Sequence, residues 1–175
     1  MPLSCAVALW PRPAPPAAWI ASDGGDAAVN VAGKAVALKP NERAYAVGTW
    51  AQRRGLDLPA DPVKAQAVIA DCNRMHCTAT GKAKPAIATW WTRRKLKDET
   101  LAALCKGADI VVTRAYVTPP ADCKSAIVLG PDDFAKGGAA EVFHSGGSGG
   151  GAGWKLVWSQ PLRGRRPWSV GGLAQ

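Results

Sequence analysis

The chain has 175 residues, 47% of them hydrophobic and 20% charged, which suits one folded domain with a real core and excludes wholesale disorder despite 19 Gly and 14 Pro. Its formal charge of +9, from 22 Lys and Arg against 13 Asp and Glu, favours phosphate polyanions or anionic lipid head groups as partners. No run approaches the roughly 18 apolar residues that cross a bilayer, so a helical channel is excluded, and residues 1–10 lack the basic start and small-residue cleavage site of a signal peptide.

In chain order, Pro11-Arg12-Pro13-Ala14-Pro15-Pro16 reads as a semi-rigid extended connector, so residues 1–16 are set apart and the domain is expected from Ala17. Short apolar stretches at 19–22, 27–31 and 34–38, divided by Asp23-Gly24-Gly25 and Gly33, predict an antiparallel meander. Asn41 is placed to cap a helix over 42–54 that Gly55 ends, with Tyr45, Val47 and Trp50 as its anchors. Asp61 before Pro62 starts a second helix running to about Ala70. A strand follows at 85–91, then a helix over 98–106 closed by Gly107. The apolar run at 109–113 then predicts a buried parallel strand in a β-α-β unit. Residues 125–129 continue the sheet, and 140–144 is expected to pair with 154–159 across a glycine-rich loop. The fold class expected is α/β: a single domain with a mixed β-sheet and a few short helices.

Little in the chain points to catalysis. A hydrolytic zinc site usually takes three protein ligands and an open water position. The chain has only His76 and His144, with no H-x-H, H-E-x-x-H or paired C-x-x-C, so neither a metal nor another cofactor is expected. Cys72, His76 and Cys77 lie close in sequence, but adjacent His76 and Cys77 would strain to reach one tetrahedral ion. Asp23-Gly24-Gly25-Asp26 is read as a tight hairpin before it is read as a carboxylate pair. The glycine run 146–153 is a poor match to a phosphate loop, because Trp154 precedes Lys155 and a strand follows in place of a helix. The expectation is therefore a non-enzyme.

The cysteines make more sense as bridges. Cys72 and Cys77 enclose a short polar loop, and Cys105 and Cys123 flank the buried 110–112 strand, so both pairs can meet and Cys5 is left over. In an oxidising compartment each bridge contributes about 2–4 kcal/mol; in the cytosol the same residues would pack as free thiols.

Two segments interleave cations with indoles, the combination that neutralises a nucleic-acid backbone and stacks on its bases. The first carries Trp90, Arg93, Arg94, Lys95 and Lys97; the second carries Arg163, Arg165, Arg166 and Trp168. The same residues also suit a plainer role as core anchors with solvated flanks.

The stretch from Leu104 to Arg114, then Cys123, Ala126-Ile127-Val128-Leu129, Asp133-Phe134 and Arg163-Gly164-Arg165-Arg166-Pro167-Trp168, resembles the C-terminal region of ComEC-family competence proteins of alphaproteobacteria. The Trp19-Ile20-Ala21-Ser22-Asp23-Gly24-Gly25 segment after a proline-rich connector and the cysteines around Arg74-Met75-His76 fit the same region, so the resemblance spans about residues 10 to 168. It implies a degenerate metallo-β-lactamase-like domain over residues 17–168, with 169–175 a tail. The H-x-H-x-D-H ligand motif of such folds is missing. It further implies an accessory, non-catalytic role in DNA uptake, beside the membrane channel domain of a longer protein. The expected partner is single-stranded DNA bound without sequence specificity, with no small-molecule substrate. The implied setting is the inner membrane, on its periplasmic side, the domain being soluble if expressed alone. A residual metal-dependent phosphodiesterase and a structural cap without DNA affinity are the alternatives.

Overall fold

The computed structural model describes residues 14–42, 44–145 and 153–163, so most of the proline-rich connector, the glycine loop and the tail lie outside the described residues. Within them the chain is a mixed α/β domain of two five-stranded sheets and a few short helices. The meander expected near the start forms β1 (Ala18–Ile20), β2 (Ala27–Val31) and β3 (Lys34–Ala37), paired antiparallel in that order. Val31 pairs with Lys34, so Ala32-Gly33 is a two-residue turn with both residues at positive φ (51° and 81°), where a glycine relieves the strain. The Asn30 side chain accepts a hydrogen bond from the Gly33 N–H at 3.0 Å and closes that turn.

Helix α1 (Ala44–Arg54) starts two residues later than the pattern predicts and ends at Gly55, whose φ is +65°. Val47 and Trp50 anchor it, but Tyr45, in its first turn, is 88% exposed and does not. Helix α2 (Pro62–Ile69) begins as expected: Asp61 accepts the Lys64 N–H at 2.9 Å and Pro62 occupies the first turn. It leads into a hairpin of β4 (Ala70–Cys72) and β5 (His76–Ala79), then β6 (Ile87–Trp90), α3 (Asp98–Cys105) and β7 (Ile110–Thr113). The pairing of β6 with β7 is parallel, and that of β7 with β8 (Ile127–Leu129) is parallel too, as a β-α-β unit requires. Helix α4 (Pro131–Gly137), unexpected from the pattern, precedes β9 (Ala140–His144), β10 (Trp154–Trp158) and α5 (Ser159–Arg163).

The β9–β10 pair is antiparallel as expected, and β9 pairs with β1, so the first sheet runs β10-β9-β1-β2-β3. The mixed sheet is the second one, in the order β4-β5-β6-β7-β8. Period-two alternation along the strands supplies three apolar layers. Ile20, Val29 and Val142 of the first sheet face Ile87, Ile110 and Val112 of the second in a central core. Val111, Ala88 and Trp90 point the other way, where Leu101, Leu104 and Cys105 of α3 cover them. Ala28, Ala35 and Ala37 meet Val47, Trp50 and Ala51 of α1 on the outer face of the first sheet. The result is a layered sandwich, helix on sheet on sheet on helix.

Candidate nucleic-acid interface

Strand register decides which loops become neighbours. Because β6 and β7 run parallel with Trp90 opposite Thr113, the segments that leave them, 91–97 and 114–120, emerge side by side at one rim of the second sheet. Antiparallel β5 starts where β6 ends, with His76 opposite Trp90, so the β4–β5 turn at 73–75 arrives at that same rim. Main-chain bonds tie the three together: the Trp91 N–H donates to the Met75 carbonyl at 2.8 Å, and the Arg114 N–H to the Trp90 carbonyl at 3.1 Å. The first sheet closes the rim from the other side. Asp23 of the β1–β2 turn lies 3.7 Å from Arg114, and the Lys39 ammonium sits 5.2 Å above the Trp91 ring.

Arg74 from the β4–β5 turn and Arg93, Arg94, Lys95 and Lys97 from the β6 exit are all exposed here, and none forms an ion pair among the described residues. Exposed cations without an ion-pair partner add a positive local field that attracts an external anion. The rim also carries Tyr116, 75% exposed, and Met75, 40% exposed. Arg74 and Tyr116 escape a reading of the chain alone because each stands in an otherwise ordinary loop. Only the pairing register brings them beside residues 93–97.

Trp90 does not offer the stacking face expected of it. It is 7% exposed, its indole N–H donates to the Arg94 carbonyl at 3.2 Å, and its ring stacks on His76 at 5.9 Å between centroids. Its role is to hold the 91–97 loop in the shape that turns Arg93, Arg94 and Lys95 outward. Leu96, 4% exposed and in the same apolar cluster, pins the far end. In the second segment, Arg163 is the last residue of α5, while Arg165, Arg166 and Trp168 lie outside the described residues.

Both disulfide pairings occur. Cys72 and Cys77 bridge directly opposed positions of β4 and β5, so the bridge clamps the turn that carries Arg74. Within that turn the Asn73 side chain accepts the Met75 and His76 N–H groups at 2.8 and 3.0 Å. Cys105 and Cys123 join the end of α3 to the turn before β8. The Asp23–Asp26 segment forms the tight turn that its composition predicts: Asp23 accepts the Gly25 N–H at 2.9 Å and Asp26 the Ala27 N–H at 2.8 Å. Among the described residues no three His, Cys, Asp or Glu side chains gather as a metal site.

An open groove of about 740 Å³ lies apart from this rim's cations, over the outer face of the first sheet between α1 and α5. Its floor is committed to structure. Glu141 accepts the Trp50 indole N–H at 2.9 Å and the Arg54 Nε–H at 2.7 Å, and pairs with the same guanidinium a second time. That hydrogen bonding, helped by the carboxylate charge and opposed by burial, raises the Arg54 pKa above its ordinary value and locks α1 to β9.

Comparison with known proteins adds no relative: no family model, no curated protein and no solved structure matches the chain. Among the described residues no helix is long and apolar enough to cross a membrane, and the two bridges fit an oxidising compartment.

Proposed function

We propose that this chain is an accessory domain of a ComEC-type DNA-uptake protein, and that its cationic rim contacts entering DNA through the phosphate backbone without cutting it. The observation that carries the contact is the convergence of Arg74, Arg93, Arg94, Lys95 and Lys97 from separate connections onto one rim with no acidic partner among the described residues. Phosphate contacts of this kind position a strand and carry no base information, so the binding is independent of sequence. The order of short stretches along the chain supports the family. Two sheets with helices on their outer faces are compatible with the degenerate metallo-β-lactamase-like domain that the resemblance implies. Two disulfides support an oxidising compartment, such as the periplasmic side where this reading places the domain.

The test is fluorescence anisotropy of a labelled single-stranded oligonucleotide with the oxidised chain, in parallel arms containing EDTA, zinc or manganese. The expected result is binding at low salt that weakens as salt rises, with the oligonucleotide intact in every arm. Absence of binding at low salt would leave a structural cap, and cleavage confined to a metal arm would make the domain a phosphodiesterase.

A further inference from the structure

We infer that Tyr116 is a base-stacking platform that makes the rim select single-stranded nucleic acid over duplex; the inference rests on the DNA-contact reading above. Trp90, the stacking candidate of the first cation-rich segment, has its ring consumed by His76 and the core. The aromatic that the rim does present is Tyr116. Its neighbours fix it there: Ala115 is 2% exposed and belongs to the same buried cluster as Trp90 and Leu96, and Val117 packs against that cluster. With 115 and 117 turned inward, residue 116 is turned out. The turn itself is braced by the Thr113 hydroxyl, which accepts the Ala115 N–H at 3.0 Å and donates to the Ala115 carbonyl at 3.3 Å. Pro119 and Pro120 then restrict the exit of the loop.

An outward phenol on the same rim as exposed cations is an arrangement in which a strand backbone is drawn in by charge and a base is laid on the ring. Every base has a π-face, so such a contact tolerates any sequence. Bases in a duplex have their faces already stacked on one another, so a duplex reaches the cations but not the ring. The rim therefore binds both forms by charge and adds the ring only for unpaired bases.

The experiment compares a labelled oligo-dT strand and a labelled duplex of equal length, each titrated with the oxidised wild-type chain and with Tyr116→Ala, Tyr116→Phe and Tyr116→Trp. Tyr116→Ala is expected to lose roughly tenfold in affinity for the single strand. Its duplex affinity and its dependence on salt should stay unchanged, because no phosphate contact is removed. Tyr116→Phe and Tyr116→Trp should keep the single-strand affinity. Unfolding midpoints of all the variants should match the wild type, because the ring is exposed. Wild-type affinity in Tyr116→Ala, or an equal loss on strand and duplex, would overturn the stacking role while leaving the charge contact standing. Failure of the wild-type chain to bind either form would overturn the DNA reading as well.

Discussion

Replacing Arg93, Arg94 and Lys95 together by Ala is expected to lower single-strand affinity by roughly a hundredfold at 0.1 M salt. Affinity for a single strand falls with salt to a power of about 0.7 for each phosphate contact. Each contact is then worth about fivefold at 0.1 M relative to 1 M, and three of them about a hundredfold. The same relation sets a second, independent readout. With Arg74 and Lys97 also engaged, the wild-type slope of log affinity against log salt is about −3.5, and the triple variant should retain about −1.4. The fold should tolerate the change. All three side chains are exposed, and the bonds that shape the loop use the main chain of Arg94, whose carbonyl accepts from Trp90 and whose N–H donates to Thr92 at 3.2 Å. An unfolding midpoint within a degree or two of wild type checks that point. Undiminished affinity with an undiminished slope would move the interface off this rim, and charge reversal at Arg163, Arg165 and Arg166 would then be the next variant.

Removing the Cys105–Cys123 bridge by the double change to Ala is expected to destabilise the domain by about 3 kcal/mol. The bridge spans 18 residues, and closing a loop of that size removes about that much chain entropy from the unfolded state. Both cysteines are buried, at 2% and 3% exposure, beside Leu101 and Leu104, so the substitution also trims a packed cluster. For a chain of this length the unfolding midpoint should fall by roughly 6–12 °C. The Cys72–Cys77 bridge spans only 5 residues, and by the same relation its loss should cost about 2 kcal/mol. Thermal unfolding of the two double variants, in oxidising buffer, checks both the size and the order of these effects. Equal midpoints for wild type and Cys105→Ala/Cys123→Ala would mean that the bridge does not form in the folded chain.

The structural elements legible in the chain are those with strong local signals. The run Ile110-Val111-Val112 suits only a strand buried on both faces, and Asp61-Pro62 and Gly107 mark helix ends by chemistry that acts within one turn. The cysteine pairs are legible because each spacing brackets an element whose ends approach. The β4–β5 hairpin is not: Asp71, Asn73, Arg74 and His76 break the alternation expected of a strand, and its stability comes from the bridge and from pairing with β6. Helix α4 escapes the pattern although Gly130-Pro131-Asp132-Asp133 carries a start signal, with Asp133 accepting the Gly130 N–H at 2.8 Å, because the helix is only seven residues long. The division of the strands between two sheets depends on β9 reaching back to β1, a contact of more than a hundred residues' separation that no local pattern encodes. For the candidate site, the cations of 93–97 are legible as a charge run. The burial of Trp90 and the arrival of Arg74 and Tyr116 are not, because each follows from strand register and from which face of β6 and β7 meets α3.

The most direct test of the rim as the interface is a map of backbone amide shifts in the oxidised, isotopically labelled chain as an unlabelled single-stranded oligonucleotide is added at low salt. Perturbations should concentrate at residues 74–75, 92–97 and 114–118, which are far apart in sequence and joined only by the register of β5, β6 and β7. Perturbations confined to the groove between α1 and α5, or scattered evenly over the cationic surface, would contradict it.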